Sequence, residues 1–290
     1  MREGLTCQVC VMLLFAYDGS VNGDWVSHYA VQLAAAHQEH RLNLVYVRDG
    51  RANDTELKGK LGRLAHECGR QEVELLFHLL PRARSVSDAI HEFIPAGSDS
   101  YLICGTRARE RHGGYLSGTT AERLLRSGHC NVLALRVVQP GLLGSPQRLL
   151  LPVSERIGDF HLALPFLRLF GPQVSHLHIL SVAQVSSGRL RRMSHEKTEY
   201  SRAPGEVRCE RVEEMIRERL GLGGKIMDAQ VVVSDDVPKE ILIAANKTKS
   251  RLIYMGASQR NLTERFVYGN PIERVLRDAT CDVAIYRGVD

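Results

Sequence analysis

Apolar runs and polar turns alternate along this chain in a strand–helix rhythm. Val9 to Tyr17 is apolar at nearly every position, the pattern of a strand buried on both faces. Val21 to His40 then carries Val26, Ala30, Leu33 and Ala34 at helical spacing. Leu42 to Val47 reads as a second strand, followed by a polar stretch with Gly59 and Gly62 that enters a helix to about Gly69. Val73 to Leu80 is a third strand, Ser85 to Ile94 a short helix and Tyr101 to Cys104 a fourth strand. Gly105 to Gly118 is a loop, Thr119 to Arg126 a helix and Asn131 to Val137 a fifth strand. The order then recurs, with strands expected at Arg148 to Val153, Val174 to Leu180, Ile226 to Val233, Arg251 to Met255 and Val283 to Arg287. Apolar strands alternating with helices predict an α/β fold with a mainly parallel sheet and helices on both faces.

The recurrence is visible residue by residue. A shift of 151 residues sets Gly105 on Gly256, Gly118 on Gly269, Glu122-Arg123 on Glu273-Arg274 and Cys130 on Cys281. The front halves correspond at a different offset: Met12 to Ala16 resembles Arg148 to Pro152, and Leu42 to Val47 resembles Val174 to Ser181. The chain therefore divides into domains at 1–139 and 147–290, each with five strands. The linker, 140–146, contains two prolines and two glycines that break helix and sheet.

Composition narrows the class. A length of 290 residues, 44% hydrophobic and 24% charged, excludes a disordered or collagenous chain and suffices for two cores. The longest apolar run is far short of the roughly 18 residues that cross a bilayer. It also lacks the marks of an export signal, so the chain reads as cytoplasmic, with no membrane insertion. The net charge of +5 comes from scattered residues rather than a stripe, which does not suggest a nucleic-acid partner. Seven cysteines without an export signal are expected to be reduced, and Cys7 and Cys10 have no second pair at zinc-ribbon spacing.

Ligands of such sheets sit beyond the carboxyl ends of the strands, near the switch in strand order. Two segments fall there in the first half. After strand one come Asp18, Gly19 and Ser20, where Asp18 can accept hydrogen bonds from a base amine or a ribose hydroxyl. After strand four come Gly105, Thr106, Arg107 and Ala108, with Gly118, Thr119 and Thr120 opening the next helix. Backbone N–H groups and the helix dipole there favour an anion, Gly118 permits close approach, and Thr119 and Thr120 add hydroxyls. Arg107, Arg109 and Arg111 add positive charge.

Two halves of this order, each with a glycine after strand four and another opening the next helix, resemble the universal stress protein family in tandem form. The resemblance implies two Rossmann-like domains of the adenine nucleotide alpha hydrolase type. These would pack as an internal pseudo-dimer, Asn131 to Val137 meeting Val283 to Arg287, with room for a further homodimer. ATP-binding members carry Gly-x-x-Gly-x9-Gly-Ser/Thr after strand four. Here Asp18, Gly105, Gly118 and Thr119 match, Val47 falls beside the adenine, and Ala108 stands at the second glycine. The second half has Ser154 for Asp18, Gln259 for the second glycine and Asn270 for the hydroxyl residue. The implied function is a stress-response or regulatory protein that binds ATP, with Mg2+ accompanying it, or another adenine nucleotide, in its N-terminal domain. It would act through nucleotide-dependent contact with a protein partner. The alternatives are a nucleotide-independent interaction module and the soluble regulatory part of a transporter. No Ser-His-Asp or Cys-His set is evident, so catalysis beyond slow ATP hydrolysis is not expected.

Weaker signals have structural readings. Leu220 to Lys225 lacks P-loop spacing and reads as a helix C-cap. His176 and His178 share a strand face but are too few for a tetrahedral metal site, and His37 and His40 read as one helical turn apart. Ser186 to Lys197 is polar and basic, a flexible loop or a segment for a partner or for phosphorylation at Ser194. Asn270-Pro271 reads as an N-cap followed by proline at the first helical position.

Overall fold

Strands buried on both faces carry the structure, a computed structural model that describes residues 11–48, 54–81, 83–106, 115–154, 158–221, 224–257 and 270–289. In the first half the elements are β1 (Met12–Ala16), α1 (Val21–Ala35), β2 (Arg41–Val47), α2 (Asp54–Arg70), β3 (Glu74–Leu80), α3 (Val86–Phe93), β4 (Gly97–Gly105), α4 (Thr120–Ser127) and β5 (Cys130–Arg136). In the second they are β6 (Arg148–Val153), α5 (Leu164–Phe170), β7 (His176–Gln184), α6 (Ser187–Leu190), α7 (His195–Leu220), β8 (Ile226–Ser234), α8 (Val237–Lys247), β9 (Leu252–Gly256), α9 (Pro271–Asp278) and β10 (Asp282–Arg287).

The strands form one sheet of ten, in the order β3-β2-β1-β4-β5-β10-β9-β6-β7-β8. Pairing is parallel within each half. At the centre β5 and β10 pair antiparallel, with Leu133 opposite Tyr286 and Ala134 opposite Ile285. The two halves are thus Rossmann-like units related by a pseudo-twofold at that seam. Strand order switches between β1 and β4 in the first half, which opens the crevice where a ligand is expected.

Helices cover both faces. One face holds α1, α2, α5 and α7, and its core runs unbroken across the seam: Tyr29 meets Phe170 edge-on at 6.3 Å, and Phe170 meets Tyr254 at 5.9 Å. Each such fully buried aromatic contributes roughly 2–3 kcal/mol. The other face holds α3, α4, α8 and α9 around Leu102, Leu125, Ile253 and Leu276. Between Arg136 and Arg148 the chain makes one turn of 3-10 helix at Pro140–Leu142 and then passes through Leu143 and Gly144 with φ of 48° and 74°.

Buried polar groups tie the seam. Asp282 is fully buried; its Oδ1 accepts from the amides of Val138 and Gln139, both at 2.7 Å, and its Oδ2 accepts from the Tyr29 hydroxyl at 2.5 Å. Asn131, its counterpart under the repeat, accepts from the Val289 amide at 3.1 Å and donates to the Ser98 carbonyl at 2.6 Å.

Three readings need correction. Helix α1 ends at Ala35, because the chain turns: the amide of His37 bonds the Ala34 carbonyl and His40 adopts φ 46°. His37 and His40 therefore lie in a turn rather than one helical turn apart. Strand β4 begins at Gly97, earlier than Tyr101, across a register shift. The segment from Ser186 to Lys197 is helical for much of its length rather than a flexible loop: it holds α6 and the start of the 26-residue α7, capped by Ser194. Exposed ion pairs such as Arg202–Glu199, Arg211–Glu214 and Arg217–Glu213 support α7 in place of a broad apolar stripe.

Helices α1 and α2 are joined by His28 Nδ1 and Glu67 Oε1 at 2.6 Å. The hydrogen bond that His28 donates to Glu67 raises the His28 pKa above 6.5 against the opposing effect of burial. The pair's ionic stabilisation is therefore full below about pH 6.5 and fades as pH rises through the folded-state value. Urea unfolding is expected to separate wild type from Glu67→Gln by about 1 kcal/mol near pH 5.5 and by less near pH 8.5.

Candidate functional site

At the carboxyl end of β1 the chain turns sharply. Asp18 Oδ1 accepts from the amide of Ser20 at 3.0 Å and from its hydroxyl at 2.6 Å, and Gly19 takes φ 71°. Ser20 then caps α1, its Oγ accepting from the Gly23 amide at 3.0 Å. Asp18 is exposed.

A buried lysine braces this turn from α2. The Lys60 side chain is 8% exposed; its Nζ donates to the Gly19 carbonyl at 2.6 Å and pairs with Asp24 at 2.9 Å and Glu56 at 3.5 Å. Burial alone pulls the ammonium pKa down, but the bonds to Asp24 and Glu56 outweigh it and hold the group above its ordinary value. The Tyr17 hydroxyl donates to the other Asp24 oxygen, and burial pushes this phenol well up.

Beside β1, β4 ends in Gly105. A Cβ there would lie 2.7 Å from Asn22 Nδ2 and 3.4 Å from Val26, so the glycine lets α1 pack closely on the strand end. Thr106 follows, 1% exposed, and among the described residues its Oγ1 has no hydrogen-bond partner. Val47 closes β2 and is buried against the α3 side of the sheet. Gly118 has φ 72°, and Thr119 caps α4 by accepting from the Glu122 amide at 3.1 Å, which leaves Thr120 as the first helical residue. Asp18, Gly19, Ser20, Val47, Gly105, Gly118, Thr119 and Thr120 thus come from the same edge of the first-half sheet. Arg107 and Ala108 lie outside the described residues, as do Arg109 and Arg111.

Two carboxylates already meet the loop ahead of α4. Glu122 Oε2 accepts from the Gly118 amide at 2.6 Å. Glu273, from α9 of the other half, accepts from Tyr115 at 2.8 Å with Oε2, and from Leu116 at 2.8 Å and Ser117 at 2.6 Å with Oε1.

The matching edge of the second half is built differently. Ser154 is exposed where Asp18 stands in the first. A Cβ on Gly256 would lie 2.9 Å from the Tyr286 hydroxyl, so the Tyr286 ring packs closely over that glycine. Asn270 caps α9 by accepting from the Ile272 amide at 2.9 Å, with Pro271 at the first helical position. Arg274 grips Asp236, the cap of α8, through two bonds of 2.9 and 3.0 Å. Gln259 and Gly269 lie outside the described residues.

Other candidate chemistry resolves locally. Gly221, at φ 62°, ends α7 in the left-handed region, as a C-cap requires. His176 and His178 stack at 6.4 Å, and His178 Nδ1 meets Asp228 at 2.7 Å. That pair borders a hollow of about 280 Å³ between β7, β8 and α8, in the half that lacks the motif residues. Among the described residues no three potential metal ligands cluster. The described cysteines Cys68, Cys104, Cys130, Cys209 and Cys281 are free and buried, and burial pushes the Cys104 and Cys130 thiols up to about 12. Cys7 and Cys10 lie outside the described residues. No helix among the described residues is long and apolar enough to cross a membrane.

The model of the universal stress protein family matches this chain twice, over residues 12–136 and 160–287. The chain belongs to the universal stress protein family. Its fold is shared by a universal stress protein from Archaeoglobus fulgidus DSM 4304, 16% identical, with 97% of this chain and 98% of that one covered at a TM-score of 0.59. It is shared by a protein of unknown function from Pseudomonas aeruginosa PAO1, 15% identical, with 96% and 92% covered at 0.58. The cytoplasmic domain of a prokaryotic cation chloride cotransporter also shares it, 12% identical, with 96% and 95% covered at 0.60. No curated protein gives a significant match. In this universal stress protein, sequence reasoning missed Lys60, Glu122 and Glu273. Thr119-x-x-Glu122 has capping-box spacing, and the repeat pairs Glu122 with Glu273.

Proposed function

We propose that this universal stress protein is a regulatory protein that binds an adenine nucleotide, ATP with Mg2+ or a relative, in its first half. The observation that supports it is the pair of left-handed glycine turns, Gly19 and Gly118, at the edge of the β1–β4 switch. The buried Thr106 hydroxyl at that edge, without a hydrogen-bond partner among the described residues, fits a polar ligand. Asp18 would meet the base or ribose, and Gly118, Thr119 and Thr120 the phosphates at the α4 N-terminus. The bound nucleotide supplies negative charge and an ordered surface. It shifts the protein toward a partner-binding state only as far as its affinities for the two states differ. The role is binding rather than catalysis.

A second reading has its own support. The Gly118 amide, a donor the nucleotide would use, is already taken by Glu122. The fold over nearly the whole chain matches that of a cotransporter's cytoplasmic domain. These favour a nucleotide-independent interaction module, including a transporter's regulatory domain.

Titration calorimetry with Mg-ATP separates the two. Wild type is expected to bind a single ATP per chain, and Asp18→Ala and Gly118→Val to bind at least about tenfold more weakly, with unchanged circular dichroism. Asp18 is exposed, so its variant tests the site without stressing the core. Unchanged affinity in both variants removes this site, and a wild type that takes up no ATP favours the interaction module.

A further inference from the structure

We infer that Glu273 in the second half is a positioning residue for the first half's candidate nucleotide loop, coupling the two halves through one carboxylate. Only its nucleotide readout rests on the function proposed above.

Three consecutive amides, Tyr115, Leu116 and Ser117, converge on the Glu273 carboxylate at 2.6–2.8 Å. Backbone N–H bonds to an ionised carboxylate are among the stronger hydrogen bonds in proteins. The next amide, Gly118, is held by Glu122, so two residues paired by the repeat hold four successive donors of one loop. Helix α9 does not require Glu273 as its cap, since Asn270 performs that task.

Other contacts from the seam converge on the same segment. The Arg136 guanidinium lies 4.6 Å from the centre of the Tyr115 ring and donates to the Ala279 carbonyl, at the end of α9, at 3.1 Å. Leu116 is 1% exposed, and its carbonyl accepts from the Thr119 amide at 3.0 Å and hydroxyl at 2.6 Å. The segment that α9 holds is therefore bonded directly to the residue that opens α4. A displacement of α9 is transmitted to Gly118, Thr119 and Thr120. By linkage, a ligand bound there acts back on the placement of α9 with the same coupling.

The test uses the full chain and two readouts. In Glu273→Ala, hydrogen exchange at the amides of Tyr115, Leu116 and Ser117 is expected to accelerate at least about tenfold, and in Glu273→Gln at Tyr115, whose amide then faces an NH2, while the amides of β4 and β5 keep their rates. Asn270→Ala, which removes the α9 cap and keeps the carboxylate, is expected to leave the loop amides protected. Mg-ATP affinity in Glu273→Gln is expected to fall about tenfold. Unchanged loop exchange in both variants overturns the inference, as does acceleration spread evenly over β4, β5 and the loop. Faster loop exchange with unaltered ATP affinity overturns the coupling. A wild type that takes up no ATP defeats the nucleotide reading instead, and loop exchange then decides the role of Glu273 alone.

Discussion

Asp282→Ala is expected to destabilise the chain by about 3–5 kcal/mol, because it strands three buried donors at once. The amides of Val138 and Gln139 and the hydroxyl of Tyr29 all give their hydrogen bonds to this carboxylate. The residue is 0% exposed, so bulk water does not reach these donors. Asp282→Asn is expected to stay within about 1 kcal/mol of wild type. The asparagine oxygen can keep both amide bonds, and its NH2 can donate to the Tyr29 oxygen. The chain already carries an asparagine, Asn131, at the equivalent place. Burial raises the Asp282 pKa above its ordinary value against the hydrogen bonds that lower it. Its contribution to stability therefore declines as pH rises from the unfolded to the folded value, and the asparagine variant removes that slope. Urea midpoints for the three proteins across this pH range provide the check. An alanine variant as stable as wild type would show that the cluster is not a clamp.

Gly144→Ala is expected to cost about 3 kcal/mol or more, from two sources. The backbone at Gly144 has φ 74°, a region unfavourable to a side chain. An added Cβ would also lie 2.5 Å from His28 C and 2.5 Å from Tyr29 N, main-chain atoms of α1 that cannot swing aside. Gly141, in the same connection, has nothing within 4 Å of its would-be Cβ, so Gly141→Ala is the matched control and is expected to be neutral. Thermal denaturation of both variants distinguishes them. Because Tyr29 also bonds Asp282, the double variant with Asp282→Ala is expected to lose less than the sum of the two single losses.

The strands were legible because runs such as Leu13-Leu14-Phe15 are apolar without interruption, which only a sheet buried on both sides demands. The repeat, with the resemblance it supports, anticipated the β5–β10 seam. Helix ends were less legible: the rhythm of Val26, Ala30, Leu33 and Ala34 carries no mark of its end at Ala35, where the His37 amide turns back to the Ala34 carbonyl. The polar segment from Ser186 resembled a loop because α6 buries no residue and Leu190 and Met193 alone are large and apolar before Lys197, so apolar periodicity has nothing to register there. At the candidate site, Asp18-Gly19-Ser20 announced a turn through residue type alone. Lys60 gave no such sign, since a lysine on a polar helix reads as solvated until the fold folds its ammonium over the Gly19 carbonyl. Glu273 belongs to the other half, and only tertiary structure places it on the Tyr115–Ser117 amides.

The antiparallel pairing of β5 with β10 within a single polypeptide has a consequence for evolution and for dose. Two separate subunits meeting at such an edge would part on dilution; here the connecting segment sets a fixed effective concentration, and the pairing survives at any expression level. Freed from having to recognise a second molecule, the two copies need not remain alike. One keeps Asp18 and Thr119 while the other carries Ser154 and Asn270 in their place.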